Sequence, residues 1–408
     1  MDDVYDRIVD AIRNLPQAAN RKYAFRALSW IGYATRTLTA QELIAAICVE
    51  AEHYQLNDEN IYTLEDLLDI CNGLVVADED GQAVRLVHFS ARNYLDRSDV
   101  IPEDTKETYR AIACSTYLSF GILKEWHCTS QNLDILIRNL SFLDYAANNL
   151  AFHLSMVDHG HYPQTTGAIL KLLEDKGHRR AYCEANKAIG KQLEISRLNL
   201  ACAIGYGDAV RTLLEEADVD ANVKDTTLGI TPLIWAARMG HEAVVKQLLN
   251  NCNVDVNAKD TKFGLTALMW AARMGHDAVV KQLLNNSNVD VDAKDTNAGL
   301  TPLMWAARKG HEAVVKQLHN NCNVDVNAED AKFGLTSLSW AVEMGCEAVA
   351  KYLLDEGRAD RNCKDNSGRT PLSLSIRHGA EISTLLLEKG VEVNFTYILV
   401  SQFDFRKL

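Results

Sequence analysis

Apolar positions in the second half of the chain recur with a long period. The run Thr231-Pro232-Leu233-Ile234-Trp235-Ala236-Ala237 returns as Thr266-Ala267-Leu268-Met269-Trp270-Ala271-Ala272 and as Thr301-Pro302-Leu303-Met304-Trp305-Ala306-Ala307, then, shortened, as Thr336-Ser337-Leu338-Ser339-Trp340-Ala341. Successive copies lie about 35 residues apart, within the range that marks stacked arrays. Each continues through a Gly-His-type turn into an apolar helix such as Ala243-Val244-Val245-Lys246-Gln247-Leu248-Leu249, and then into a Val-Asp-Val-Asn segment. A degenerate copy at Ser196 to Leu214 precedes the run and a divergent one follows from Thr370. That makes about six units, above the roughly three a stacked core needs. One such unit cannot bury its apolar face alone, so neighbours stack and offer an extended surface.

The first hundred residues follow a different pattern. Tyr23 to Tyr33 places Phe25, Leu28, Trp30 and Ile31 on one helical face. Thr39 then caps a second helix, Ala40 to Cys48, with Glu42 completing a capping box. A third helix is expected from Thr63 to Cys71, with Leu64, Leu67 and Leu68 inward and Gly73 ending it. The runs Leu74-Val75-Val76-Ala77 and Val84-Arg85-Leu86-Val87-His88, joined by Asp78-Glu79-Asp80-Gly81-Gln82, predict a hairpin. Three helices followed by a hairpin is the order of a winged helix. The stretch from Pro102 to Lys191 reads as helical and weakly periodic.

The repeated unit resembles the ankyrin repeat, a hairpin finger followed by two antiparallel helices. A second resemblance rests on Ala27-Leu28-Ser29-Trp30-Ile31, Leu38-Thr39-Ala40-Gln41-Glu42-Leu43, Cys71-Asn72-Gly73-Leu74-Val75 and Arg85 to Leu95, with Cys114 to Phe120 and Phe142 to Ala147. These segments are similar to the winged helix and helical connector that follow the nucleotide-binding domain of fungal NACHT-ankyrin proteins, signal-transducing ATPases of the NOD-like class. The departure is a missing motor. No GxxxxGK[ST] loop occurs, and the only Gly-Lys pair, Gly190-Lys191, is followed by Gln192 in a charged stretch that reads as a solvated turn.

Composition narrows the function classes. Ten cysteines are scattered through 408 residues with no CxxC pair and no metal-ligand spacing, which fits reduced thiols in a cytoplasmic or nuclear compartment. Cys252 and Cys322 share a repeat position with Ser287, which suggests a requirement for a small side chain there. The acidic start, Met1 to Asp6, lacks a secretory pattern, and no run of about 18 apolar residues is present to span a bilayer. A formal net charge of -13 opposes nonspecific nucleic-acid binding. The third helix of the winged segment carries Glu65, Asp66 and Asp69 and no basic residue, so a duplex would repel it. His153, His159 and His161 lack a carboxylate at helical spacing and read as a surface turn around Gly160 rather than a metal site.

Within the repeats, Trp235, Trp270, Trp305 and Trp340 stand where the ankyrin consensus usually has Leu, and core packing is the favoured reading. The TPLH histidine of that consensus is replaced by Asn199, Ile234, Met269, Met304, Ser339 and Ser373, so stability should lean more on apolar stacking. His241, His276 and His311 read as turn residues, and Lys246, Lys281, Lys316 and Lys351 as a solvated outer column. The residues before each turn differ: Arg238-Met239, Arg273-Met274, Arg308-Lys309, Glu343-Met344 and Arg377-His378 end the first helix, which in ankyrin arrays faces the concave groove. Packing is not expected to require them, and Arg beside adaptable Met suits protein recognition. Finger tips Thr261-Lys262-Phe263 and Ala331-Lys332-Phe333 add aromatics beside that groove.

The expected architecture is mainly α. A winged-helix-like domain at 1–100 leads through a helical connector at 101–195 to an ankyrin-repeat solenoid at 196–400, with a tail at 401–408. The expected function is a non-enzymatic adaptor or sensor that binds a protein, with an acidic segment in the concave groove, and with no cofactor, metal, nucleotide, nucleic acid or membrane. The partner-binding residues expected are Arg238, Met239, Lys262, Phe263, Arg273, Met274, Arg308, Lys309, Glu343 and Met344. Replacing Arg238, Arg273 and Arg308 by Glu should, on this reading, leave stability nearly unchanged, at less than about 0.5 kcal/mol each. Two other readings compete: a truncated NACHT-ankyrin gene product without independent function, supported by the start upstream of the winged helix and the apolar ending Val393 to Val400, and a regulatory subunit of a separate enzyme.

Overall fold

The computed structural model describes residues 2–51, 53, 62–97, 100–102, 105–124, 140–157, 163–189, 195–321, 323–356, 358–377 and 380–392. Gly160, His159, His161, Gly190, Lys191, Cys322, His378 and the ending from Val393 lie outside these residues. The chain is mainly helical and divides into two compact units, Met1–Glu215 and Glu216–Leu408.

In the first unit the winged helix forms as the pattern predicts. Helix Ala18–Tyr33 begins earlier than its apolar face suggests and buries Tyr23, Phe25, Leu28 and Trp30. Helix Ala40–Cys48 carries the full capping box of Thr39 and Glu42, and helix Leu64–Ile70 a second one made by Thr63 and Asp66. Strands Val75–Ala77 and Val84–Leu86 pair antiparallel, Val75 facing Leu86, and a bridge from Thr39 to Ala83 ties the wing to the helix ahead of it. Two helices go beyond the sequence reading. Asp2–Arg13 buries Tyr5, Val9 and Ile12 at an i, i+4, i+7 spacing hidden among charged residues. Phe89–Arg97 follows the hairpin.

The connector is built from helices Glu107–Tyr117, Leu143–Ser155, Pro163–Glu174 and Lys176–Ala185. Its core meets the winged helix at Trp30, whose ring sits edge-on to Tyr109, Phe142, Tyr145 and His153. His153 is therefore not a surface-turn residue. It is fully buried, bonded through Nε2 to the Tyr145 hydroxyl at 3.0 Å and through Nδ1 to Glu107 at 3.1 Å. Burial holds its imidazole below the ordinary histidine value, with Glu107 pulling the other way. Helices Arg197–Ile204 and Gly207–Glu215, the degenerate first copy, close this unit and pack on Pro163–Glu174.

The second unit stacks four near-identical helix pairs: Pro232–Met239 with Glu242–Leu249, Ala267–Met274 with Asp277–Leu284, Pro302–Lys309 with Glu312–Asn320, and Ser337–Glu343 with Glu347–Asp355. A fifth pair, Pro371–Ser375 with Ala380–Glu388, ends the described array. Each first helix starts on a Thr whose hydroxyl accepts the backbone N–H three residues on, from Thr231 to Thr370. First helices pack against first helices, and second against second. Lys246, Lys281, Lys316 and Lys351 are exposed on the outer helices, as expected. Fingers touch one another so closely that a Cβ on Gly229 would lie 2.2 Å from the Thr261 hydroxyl, and its φ of +66° independently favours glycine. Cys252 and Ser287 are both exposed, so packing does not demand a small side chain there.

Candidate functional site

Each finger is organised by one buried carboxylate. Asp225 accepts backbone N–H bonds from Thr227, Leu228, Gly229 and Ile230, and Asp260, Asp295 and Asp330 do the same in their own fingers. Ten residues on, the tryptophan of the first helix donates its indole N–H to the same carboxylate: Trp235 to Asp225 at 3.1 Å, Trp270 to Asp260 at 2.8 Å, Trp305 to Asp295 at 3.0 Å and Trp340 to Asp330 at 3.0 Å. Backbone N–H groups satisfy most of the acceptor capacity of each buried carboxylate, and the indole adds one more donor. In the last repeat Leu374 stands where the tryptophan would be, and Arg369 takes over, donating Nε to Asp365 at 2.7 Å. The sequence reading missed this pairing, although an Asp stands ten positions before every repeat tryptophan.

The arginines are placed by these rings. Arg238 lies between Trp235 and Trp270, its guanidinium carbon 5.0 and 5.1 Å from the two ring centroids. Arg273 lies between Trp270 and Trp305 at 5.0 and 4.9 Å, and Arg308 between Trp305 and Trp340 at 5.4 and 4.7 Å. The result is an alternating column of four indoles and three guanidiniums, with cation–π attraction on both faces of each cation. The expectation that packing does not require these arginines is corrected: they are half-buried elements of the stack. Burial holds Arg238 and Arg308 below the usual arginine value, followed by the charge of Arg273, and burial alone acts that way on Arg273, while the finger aspartates pull all three back.

The remaining predicted residues fall around the column. Met274 and Met344 are exposed at 46% and 41%, Met239 is half-buried and Lys309 exposed. Phe263 lies edge-on to Trp270 and Phe333 edge-on to Trp340, at 6.3 and 6.0 Å, with the ammonium groups of Lys262 and Lys332 over the phenylalanine rings. Glu343, at the fourth arginine position, is paired with Arg377 at 3.2 Å. The turn histidines do more than turn. His276 donates Nε2 to the Arg238 carbonyl and His311 to the Arg273 carbonyl, each at 3.0 Å. Imidazole bonding between repeats therefore exists from a different position than the TPLH one, so these histidines are more than the turn residues expected from the sequence.

One break in the repeat opens a cavity. Where Phe263 and Phe333 cover their tryptophans, the third finger carries Ala298, and Trp305 alone of the four indoles is half-exposed. A space of about 280 Å³ lies at this finger, lined among others by Ala298, Arg308, Lys332, Phe333, Trp340, Glu343 and Met344. It joins finger tips to first-helix ends, the two groups singled out in the sequence. A second concavity of about 360 Å³ lies on the winged helix, lined among others by Arg36, Arg85, His88, Phe89 and Arg92; Arg36 is there held by Glu42 and Asp144.

Among the described residues no group of three His, Cys, Asp or Glu is placed to hold a metal, and no helix is long and apolar enough to cross a membrane. Comparison with known families matches "Ankyrin repeats (3 copies)" to residues 168–260, 198–295, 254–330 and 303–397. A second family, described as "GPI inositol-deacylase, winged helix domain", matches residues 12–105. No curated protein matches the chain.

Proposed function

Because the chain belongs to the ankyrin-repeat family, a family of protein–protein interaction modules, we propose that it is a non-enzymatic adaptor or sensor that holds a protein partner on the face shared by its finger tips and first helices. The observation that carries this reading is the guanidinium column, a line of half-desolvated cations bordered by exposed methionines in a chain of net charge -13. Desolvated cations reward an incoming carboxylate more than solvated ones do, and methionine repacks around varied side chains. The partner segment is acidic. The winged helix and connector resemble the carrier of NACHT-ankyrin proteins, so the array is read as the recognising arm of a cytoplasmic signalling protein. With no phosphate-cradling loop in the sequence, no nucleotide switch acts within this chain.

The test is affinity capture from cell extract with the full chain and with Met274→Glu/Met344→Glu, which reverses the charge preference of the face without touching the column. Partners retained by the first and lost by the second support the reading. Identical captured sets would move recognition off this face.

A further inference from the structure

We infer that the cavity at the third finger is the seat of one aromatic side chain of the partner, flanked in the partner's sequence by a carboxylate. This rests on the protein-binding reading above and adds which residue of the partner is the anchor and where it enters.

The neighbouring repeats show what belongs at this position. Phe263 lies edge-on to Trp270 at 6.3 Å and Phe333 to Trp340 at 6.0 Å, with a lysine ammonium over each phenylalanine. The third finger has the same bond from indole to carboxylate, Trp305 to Asp295, yet carries Asn297-Ala298 in place of Lys-Phe. The scaffold for a ring is complete and the ring is missing. In its stead stands the space of about 280 Å³, lined by Ala298 and by Phe333, Leu335 and Trp340. That is just below the ~300–1,000 Å³ of pockets that enclose whole small molecules, and it suits a single large side chain. An aromatic one gains edge-to-face attraction to Phe333 and Trp340 beyond what burial alone gives. Met344, exposed at 41%, lines the same space and can repack around the inserted ring.

Charge selects the neighbour of that ring. Four charged residues line the space, and two of them are engaged by partners: Glu343 pairs with Arg377 at 3.2 Å and Arg369 with Asp365 at 2.7 Å. The other two, Arg308 and Lys332, contact aromatic rings and have no ion pair among the described residues. Lys332 is exposed at the finger tip, so its ammonium can meet a carboxylate next to the ring without leaving water. An acidic neighbour is favoured there and a basic one repelled.

The test uses the full chain and a capped peptide, Gly-Glu-Phe-Glu-Gly with 4-fluorophenylalanine as its ring, followed by fluorine NMR. The expected result is saturable binding that Ala298→Phe weakens at least tenfold, about the loss of one buried aromatic anchor, because the chain then supplies its own ring. Ala298→Leu copies Leu228 of the first finger and should weaken binding at least threefold, which keeps the test valid should the larger ring disturb the fold; circular dichroism checks both variants. Lys332→Gln, and a peptide with glutamine for both glutamates, should each lose at least threefold. No saturable binding at millimolar peptide, or binding that both Ala298 variants leave unchanged, overturns the inference, and equal binding of the glutamine peptide overturns its carboxylate. Met274 lies outside the cavity. If Met274→Glu weakens binding that the Ala298 variants do not, the cavity fails while the protein-binding face stands; if none of these changes matters, both fail.

Discussion

Trp270 donates its indole N–H to Asp260 over 2.8 Å, and that bond joins the two halves of a repeat. The carboxylate fixes the finger through the N–H groups of Phe263, Gly264 and Leu265, and the indole is the floor on which Arg238 and Arg273 rest. Finger, helix and column are held by the same pair.

Removing either member should therefore cost more than its contacts alone. Trp270→Ala is expected to lower stability by about 3–5 kcal/mol from the lost buried ring. Trp270→Phe keeps most of the ring but strips a bond to a charged acceptor, at about 1.5–3 kcal/mol. Urea unfolding followed by circular dichroism reads both. A Phe variant as stable as the parent would show that the bond to Asp260 contributes nothing.

The arginine column reverses an expectation drawn from the sequence. Arg273→Glu exchanges a cation for an anion between the faces of Trp270 and Trp305, and near Asp260 and Asp295. Two cation–π contacts at about 0.5–2 kcal/mol each are lost, so a cost of roughly 1–4 kcal/mol is expected before any repulsion is added. Substituting Arg238, Arg273 and Arg308 together should unfold the array at ordinary temperature. Lys309→Glu, exposed one residue beyond Arg308, should shift the midpoint by less than about 0.5 kcal/mol and serves as the control.

Much of this fold was legible because it is periodic. The recurrence of Trp, Ala-Ala and the turn glycine gave the stacked pairs, and the capping box at Thr39 gave a helix start that the structure reproduces. What escaped was side-chain pairing across the period. A single copy shows Asp260 and Trp270 ten residues apart with no helical or strand relation, and only the fold of the finger back onto the helix brings them together. Arginine at a helix end reads as solvated until rings from two neighbouring repeats are known to flank it. His153 was misplaced for a similar reason, since its partner Glu107 is 46 residues away. Helix Asp2–Arg13 escaped because its three buried residues are diluted by charge.

His153 gives the first unit an acid limit. Its folded value lies below the ordinary one near 6.5, so the unfolded chain binds the proton more readily and stability falls as pH drops below about 6.5. The contribution is fully present above that pH. His178, lowered mainly by burial, acts in the same direction. Melting of the full chain followed near the transition of this unit should lose midpoint between pH 7 and 5, and His153→Gln should flatten part of that slope. An unchanged slope in the variant would assign the acid sensitivity elsewhere.

The last prediction concerns a flaw in an otherwise regular ladder. Asn222 donates its amide to the Asn253 carbonyl at 2.6 Å and accepts the Asp255 N–H at 2.7 Å. Asn257 repeats both bonds with Asn288 and Asp290, and Asn327 with Arg358 and Asp360. Between them stands Asp292, which accepts the Asp325 N–H at 3.0 Å but, as a carboxylate, has no donor for the other bond. Its Oδ1 is buried without a partner among the described residues. Burial, with Asp325 and Asp290 nearby, raises its value above the ordinary carboxylate range. The folded chain then holds this proton more tightly than the unfolded one, so the site destabilises progressively as pH rises from about 3.9 through the raised value, and fully above it. Asp292→Asn restores the missing donor and should stabilise the array at pH 7 by about 1 kcal/mol. The advantage should shrink as pH falls toward 4, where the protonated carboxyl can donate in its place. Paired urea titrations of the two proteins at pH 7 and pH 4 measure this, and an Asn variant no more stable at pH 7 would mean that the ladder tolerates the carboxylate without cost.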